Sequence, residues 1–236
     1  MPQTSDDMNP PKTSTQWQTH IAALPPELIE FYLLKCPYAK SDQANASSAY
    51  SLNLADNGWE GPKLNRLMQW LSLQFIDKNG KLSLQYSLSD DIRILLEVKE
   101  LLNTSRMPST SQAYLAINRK ISITAQNECT VELKETYATC FFRHIRNCIA
   151  HGGFYSQDDH LIFFDSSSKP NTKKNSKKYT FGMSTTLKFL MDLKRVVEGG
   201  EAALSISEED KARLKGMSYK VDINKEIKLE QQDEDQ

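Results

Sequence analysis

Cysteine is scarce in this chain, and no two of the four form a C-x-x-C pair. Cys36 and Cys129 stand far apart, and Cys140 and Cys148 lie at helical spacing, so a zinc ribbon and a thioredoxin-type redox pair are both excluded. An excess of either charge is lacking too: 29 Lys and Arg stand against 30 Asp and Glu, and the isoelectric point is about 6.4. With no global basic field, any binding of nucleic acid has to come from a local patch. No apolar run approaches the roughly 18 residues that a membrane span needs. The opening MPQTSDDMNPPKTSTQ is polar and proline-bearing, without the apolar stretch of a secretory signal. These absences together lead us to expect a cytoplasmic protein with reduced thiols and no membrane segment. An internal repeat is missing as well.

What is present suits one large domain, or one domain with extensions: 236 residues, 39% hydrophobic and 25% charged, enough to bury a real core. Residues 1–16 hold almost nothing to bury and are expected to be a disordered tail. From Trp17 the text turns apolar, and Pro25-Pro26 open a helix through Leu28, Ile29, Tyr32 and Leu33, proline being tolerated in a first turn. A polar linker follows, and Pro62 begins a second helix with Leu64, Leu67, Met68, Leu71 and Phe75 at 3–4 spacing. After the turn signal 77-DKNG-80, LSLQYSL alternates as a short strand or extended connector. Ser89 or Asp90 then caps a helix through Ile92, Leu95, Leu96 and Leu102. Residues 112–126 read as a further helix on Tyr114, Ile117 and Ile121. A long helix runs from about Thr130 to Ala150 and stops at Gly152-Gly153; HLIFFD and KYTFGM then bracket a lysine-rich tip as a β-hairpin. Ser184 or Thr185 caps the next helix, through Val197, and SEEDKARLK forms a last short one before the acidic tail. The expectation is a mainly α chain: a helical extension over 17–87, a helical domain over 88–200 with a hairpin at about 160–183, and a short helix with a charged tail over 201–236.

The helix ending at Gly152 carries unusual chemistry in 141-FFRHIRNCIAHGGFY-155. At about 100° per residue, Tyr137, Phe141, Ile145 and Cys148 form an apolar stripe, and Cys140, His144, Asn147 and His151 form a second line with Arg143 on its outer edge. Cationic groups near a helix C-terminus stabilise its dipole by about 0.3–1 kcal/mol each. That explanation leaves Asn147, a mediocre helix former, unaccounted for. Histidine moves protons near neutral pH, and the fork of arginine holds phosphate oxygens. Asparagine can orient an imidazole. Such a set suits attack by an RNA 2′-hydroxyl on the adjoining phosphate, a nucleophile that DNA lacks. The spacing permits either Arg143 or Arg146 as the phosphate-binding guanidinium. His144 and His151 are seven apart with no carboxylate between them, unlike the HExxH turn of a zinc enzyme, so no metal is expected.

Arg146-Asn147-Cys148-Ile149-Ala150-His151 resembles the R-N-x-x-x-H signature of the HEPN superfamily, and it sits at the end of a long helix as it does in that family. The resemblance implies a helical bundle that commonly dimerises so that two motifs form one cleft. It also implies a metal-independent, cofactor-free endoribonuclease that leaves a 2′,3′-cyclic phosphate, acting as a toxin or anti-phage effector with a cognate antitoxin or regulatory protein. Arg146 and His151 are then the catalytic pair, Asn147 supports them, and Arg143 and His144 are neighbours. Some HEPN domains are instead non-catalytic modules that bind RNA, nucleotide or protein. The branch silenced at a tyrosine two residues after the histidine is not matched, since Gly153 stands there. Lys169, Lys173, Lys174, Lys177 and Lys178, in a run with no acidic residue, are a further candidate contact for an RNA backbone. The Cys148 thiol, on the apolar stripe, is expected to be buried and inert.

Overall fold

The computed structural model describes residues 24–35, 54, 58–88, 92–103, 108–123, 129–167 and 178–214. The tail over 1–16, Trp17, most of the polar linker, the Ser89 or Asp90 cap, Lys169, Lys173, Lys174, Lys177 and the acidic C-terminal stretch lie outside these residues. Of the lysine run, only Lys178 falls on described backbone.

A helix, α1 (Pro26–Glu30), continues through a π-helical turn over Phe31–Lys35, and α2 (Gly61–Leu73) follows. Then come β1 (Leu84–Leu88), α3 (Ile92–Asn103), β2 (Gln112–Ile117), β3 (Arg119–Ile123), β4 (Cys129–Leu133) and α4 (Tyr137–His151). The chain closes with β5 (Phe154–Gln157), β6 (His160–Ser167), β7 (Lys178–Thr185), α5 (Leu187–Gly199), a 3-10 turn (Gly200–Ala203) and α6 (Glu208–Leu214). Five strands form one sheet in the order β1-β2-β7-β6-β5, in which β1 pairs parallel with β2 and the other pairs are antiparallel. β3 and β4 form a separate antiparallel pair.

The fold is therefore α/β, not the expected mainly α helical bundle. The overturned element is the helix expected over 112–126. Residues 112–117 form β2, set between β1 and β7, with Ala113, Leu115, Ala116 and Ile117 all buried. A strand covered on both faces carries a nearly continuous apolar run, which periodicity alone does not separate from a buried helix. Likewise the motif helix begins at Tyr137, not near Thr130, because 129–133 pairs with β3 and the Thr136 hydroxyl accepts the Thr139 N–H as N-cap. The β6–β7 hairpin is as expected, and β1 realises the strand reading of LSLQYSL. The last long helix is capped by Thr186, whose Oγ1 accepts the Phe189 N–H, one residue beyond the expected positions.

Both faces of the sheet are covered. Val98 of α3 packs against β7 at Gly182, and on the opposite face Phe181 meets Phe141 of α4 with ring centroids 6.5 Å apart. Phe141 also contacts Phe75, Phe142 and Phe189 edge-on, so the apolar stripe read from the sequence anchors α4. One core joins this region to side chains from 24–86: the buried Tyr32 hydroxyl donates to the Leu190 carbonyl at 3.1 Å, and Trp59 Nε1 donates to the Val197 carbonyl at 3.3 Å. Trp70 stacks on Phe189. Among the described residues no helix is long and apolar enough to cross a membrane.

Candidate functional site

The second line of α4 sinks into the protein at one end and opens at the other. Cys140 and His144 are buried, Asn147 is half-buried and His151 is exposed. The helix ends in a Schellman arrangement: Gly152 takes the left-handed conformation (φ 64°, ψ 29°), its N–H reaches the Ile149 carbonyl, and the Gly153 N–H reaches the Cys148 carbonyl at 2.7 Å. The Gly153 carbonyl then accepts the Phe164 N–H at 2.8 Å. This double junction fixes His151 at the mouth of a cavity of about 340 Å³ lined by α4 and the ends of β2, β6 and β7.

Four of the candidate residues, Arg143, His144, Asn147 and His151, line this cavity together with Asp165, which the sequence reading did not include. Arg146 is not among the lining residues; its Nη1 donates to Asn147 Oδ1 at 3.4 Å from beside the cavity. Arg143 is held by an acid at the inner end of the cavity. Its Nε and Nη2 donate to the two oxygens of Glu135 at 2.8 and 2.7 Å, a two-pronged ion pair in which the Glu135 side chain is only 2% exposed. Burial pushes the Glu135 carboxyl up, but the hydrogen bonds and charge of Arg143 and the Asn118 N–H outweigh it and hold the group below its ordinary range.

His144 is locked in place. Its ring stacks on Phe181, with centroids 5.0 Å apart and planes within 3°. Nδ1 lies 3.1 Å from Asp165 Oδ2, and Nε2 lies 3.0 Å from the Ala116 carbonyl and 3.2 Å from Arg143 Nη2. Burial, aided by Arg143, pushes this imidazole below its ordinary pKa, with Asp165 and the Ala116 carbonyl pulling the other way. In the neutral ring Nδ1–H donates to Asp165 and Nε2 accepts from Arg143. Asp165 also accepts from Asn147 Nδ2 at 3.2 Å. Burial raises its carboxyl, and His144, Asn147 and Arg143 more than reverse that, keeping it ionised below the usual carboxylate range. Cys140 and Cys148 are buried free thiols pushed well above their ordinary pKa by burial, which suits core thiols and not nucleophiles.

The sequence did carry a faint signal for Asp165. Leu161, Phe163 and Asp165 alternate on the face of β6 turned towards α4, so an acid falls where an apolar side chain is due. Glu135, just before the α4 N-cap, gave no pattern. Among the described residues no group of three or more His, Cys, Asp or Glu side chains is arranged to hold a metal ion. Comparison with family models, curated proteins and solved structures finds no match for this chain.

Proposed function

We propose that this cavity binds an RNA phosphodiester and that the chain is a metal-independent endoribonuclease. The observation that carries the reading is that Asn147 and His151, one helical turn apart, open into the same polar cavity while Arg146 hydrogen-bonds Asn147 from its side. In the proposed reaction the 2′-hydroxyl oxygen attacks the adjoining phosphorus and gives its proton to His151. Arg146 holds the crowded phosphorane charge, Asn147 orients the groups, and the bond to the 5′ oxygen breaks to leave a 2′,3′-cyclic phosphate. His144 takes no part in proton transfer, since it is buried and its nitrogens are engaged by Asp165 and Arg143. The leaving oxygen then draws its proton from the His151 of a second copy, which is why the reading pairs two chains in a homodimer.

The R-N-x-x-x-H pattern at a helix end supports this reading through its side chains alone, because the surrounding α/β fold is not the bundle that the resemblance implied. A cytoplasmic toxin or anti-phage effector, held in check by an antitoxin or regulatory protein, is the matching biological role. The test is mixed RNA incubated with purified protein in EDTA, products being resolved by size and end group. Cyclic-phosphate ends that vanish in His151→Ala support the proposal, and cleavage retained in that variant defeats it.

A second reading rests on the charges. Glu135 neutralises Arg143 in a two-pronged pair, so the arginine that lines the cavity has its charge already matched. A non-catalytic module that binds RNA, nucleotide or a protein partner needs no more than that, and binding without products in the same assay favours it.

A further inference from the structure

We propose that Asp165, outside the motif and 18 residues beyond Asn147 in sequence, is a positioning residue of this site that sets which way the Asn147 amide faces. An asparagine side chain can turn either end to a neighbour, and its two ends have opposite hydrogen-bonding character. An ionised carboxylate only accepts, so Asp165 can engage only the Nδ2 end. That contact turns Oδ1 of Asn147 to the other side, where the Arg146 guanidinium donates to it. A carboxylate on a different element thus decides which end of the Asn147 amide meets the Arg146 guanidinium.

Two features hold Asp165 in this task. A chain of contacts runs from Glu135 through Arg143 and His144 to Asp165, and each link has a partner that limits its freedom. The sheet itself is also adjusted at this point. Asp165 pairs with Phe181 but Ser166 pairs with Tyr179, which leaves Thr180 as an extra residue. Successive strand residues ordinarily point to opposite faces, yet Asp165, Ser166 and Thr180 all line the cavity. A bulge that re-aims side chains next to a site explains this.

The catalytic consequence rests on the RNA-cleavage reading; the orientation of the amide does not. The experiment therefore has two arms. In the first, RNA cleavage is measured for wild type, Asp165→Ala, Asn147→Ala and the double variant, with melting curves to show that each is folded. Asp165→Ala should lower kcat roughly 10- to 100-fold while KM stays nearly constant, the scale of a misdirected catalytic group, and should cost nothing further in the Asn147→Ala background. If the two single losses multiply in full, Asp165 works through His144 and the proposal is overturned.

In the second arm, the Asn147 side-chain amide is followed by ¹⁵N NMR in wild type and in Asp165→Asn, which keeps the shape and removes the charge. A shifted and faster-exchanging amide supports the proposal, and an unmoved one overturns it. Should Asp165→Ala fail to fold, Asp165→Asn replaces it in the kinetic cycle. A folded wild-type chain that cleaves no RNA removes the ribonuclease reading, and the amide signal alone then decides the positioning role.

Discussion

His144 and His151 lie on one line of one helix, two turns apart, and the protein treats them in opposite ways. His144 is 1% exposed, stacked on Phe181 and engaged at both ring nitrogens, by Asp165 and Arg143. His151 is exposed on the last residue of α4, and among the described residues its ring has no hydrogen-bond partner. The difference arises from where the helix lies. Its middle rests on the sheet, beside the ends of β2 and β6, whereas its end overhangs the cavity. A ring with both nitrogens occupied serves shape, and an open one is available for proton transfer. Chemical type alone does not separate the two; the surroundings do.

The sharpest way to break this comparison is to remove each ring in turn. His151→Ala should lower RNA cleavage roughly a thousandfold, the scale of a lost general acid or base, with an unchanged melting temperature. His144→Ala should instead lower stability by about 3 kcal/mol, because it leaves a void beside Phe181 and an unmatched Asp165. Urea unfolding and single-turnover cleavage measured on both variants check this, and exchanged outcomes would reverse the assignment. The next largest effect lies deeper in the same network. Glu135→Gln removes the charge that neutralises Arg143, and breaking a buried pair of this kind costs about 3 kcal/mol. A loss near zero in urea unfolding would mean that Arg143 finds water, and that the inner end of the network is looser than its distances imply.

A smaller loss is expected at the open end. A Cβ on Gly153 would lie 2.2 Å from the Phe164 carbonyl oxygen, a backbone atom that cannot swing aside. Gly153→Ala should therefore cost about 2 kcal/mol and displace His151 with the junction that carries it. If cleavage survives while the melting temperature drops, the position of His151 is less tightly determined than the Schellman contacts suggest.

Much of the site was legible in the sequence because helical periodicity survives folding. The buried stripe through Phe141 and Ile145 and the polar line through His144, Asn147 and His151 fall on α4 as the 3.6-residue repeat dictates. The sheet was half-legible. β6 and β7 announce themselves as two aromatic-bearing runs that bracket a lysine-rich tip, but QAYLAI is apolar on both faces and its register with β1 and β7 is a tertiary fact. Glu135 and Asp165 were missed for the same reason, since what makes them matter is the partner each meets on another element. Helical spacing permitted either Arg143 or Arg146, and their different places, one lining the cavity and paired with Glu135 and the other beside it on Asn147, are again tertiary facts.

The smallest expected effect sharpens the comparison from the buried side, because it asks whether the stability of the fold senses His144. Burial, with help from Arg143, lowers the folded-state pKa of His144 even though Asp165 and the Ala116 carbonyl oppose the shift. The unfolded chain then binds a proton more readily than the folded one. Stability is complete above about pH 6.5, the ordinary histidine value, and falls as the pH drops towards the lower folded value. Below about pH 4 the carboxylates add their share, since Asp165 and Glu135 hold depressed values in the fold and lose that stabilisation as they are protonated. Urea midpoints taken from pH 8 to pH 5 should decline in wild type, and the decline should flatten in His144→Gln. A decline that persists undiminished in His144→Gln would show that the sealed ring is not the group coupled to folding.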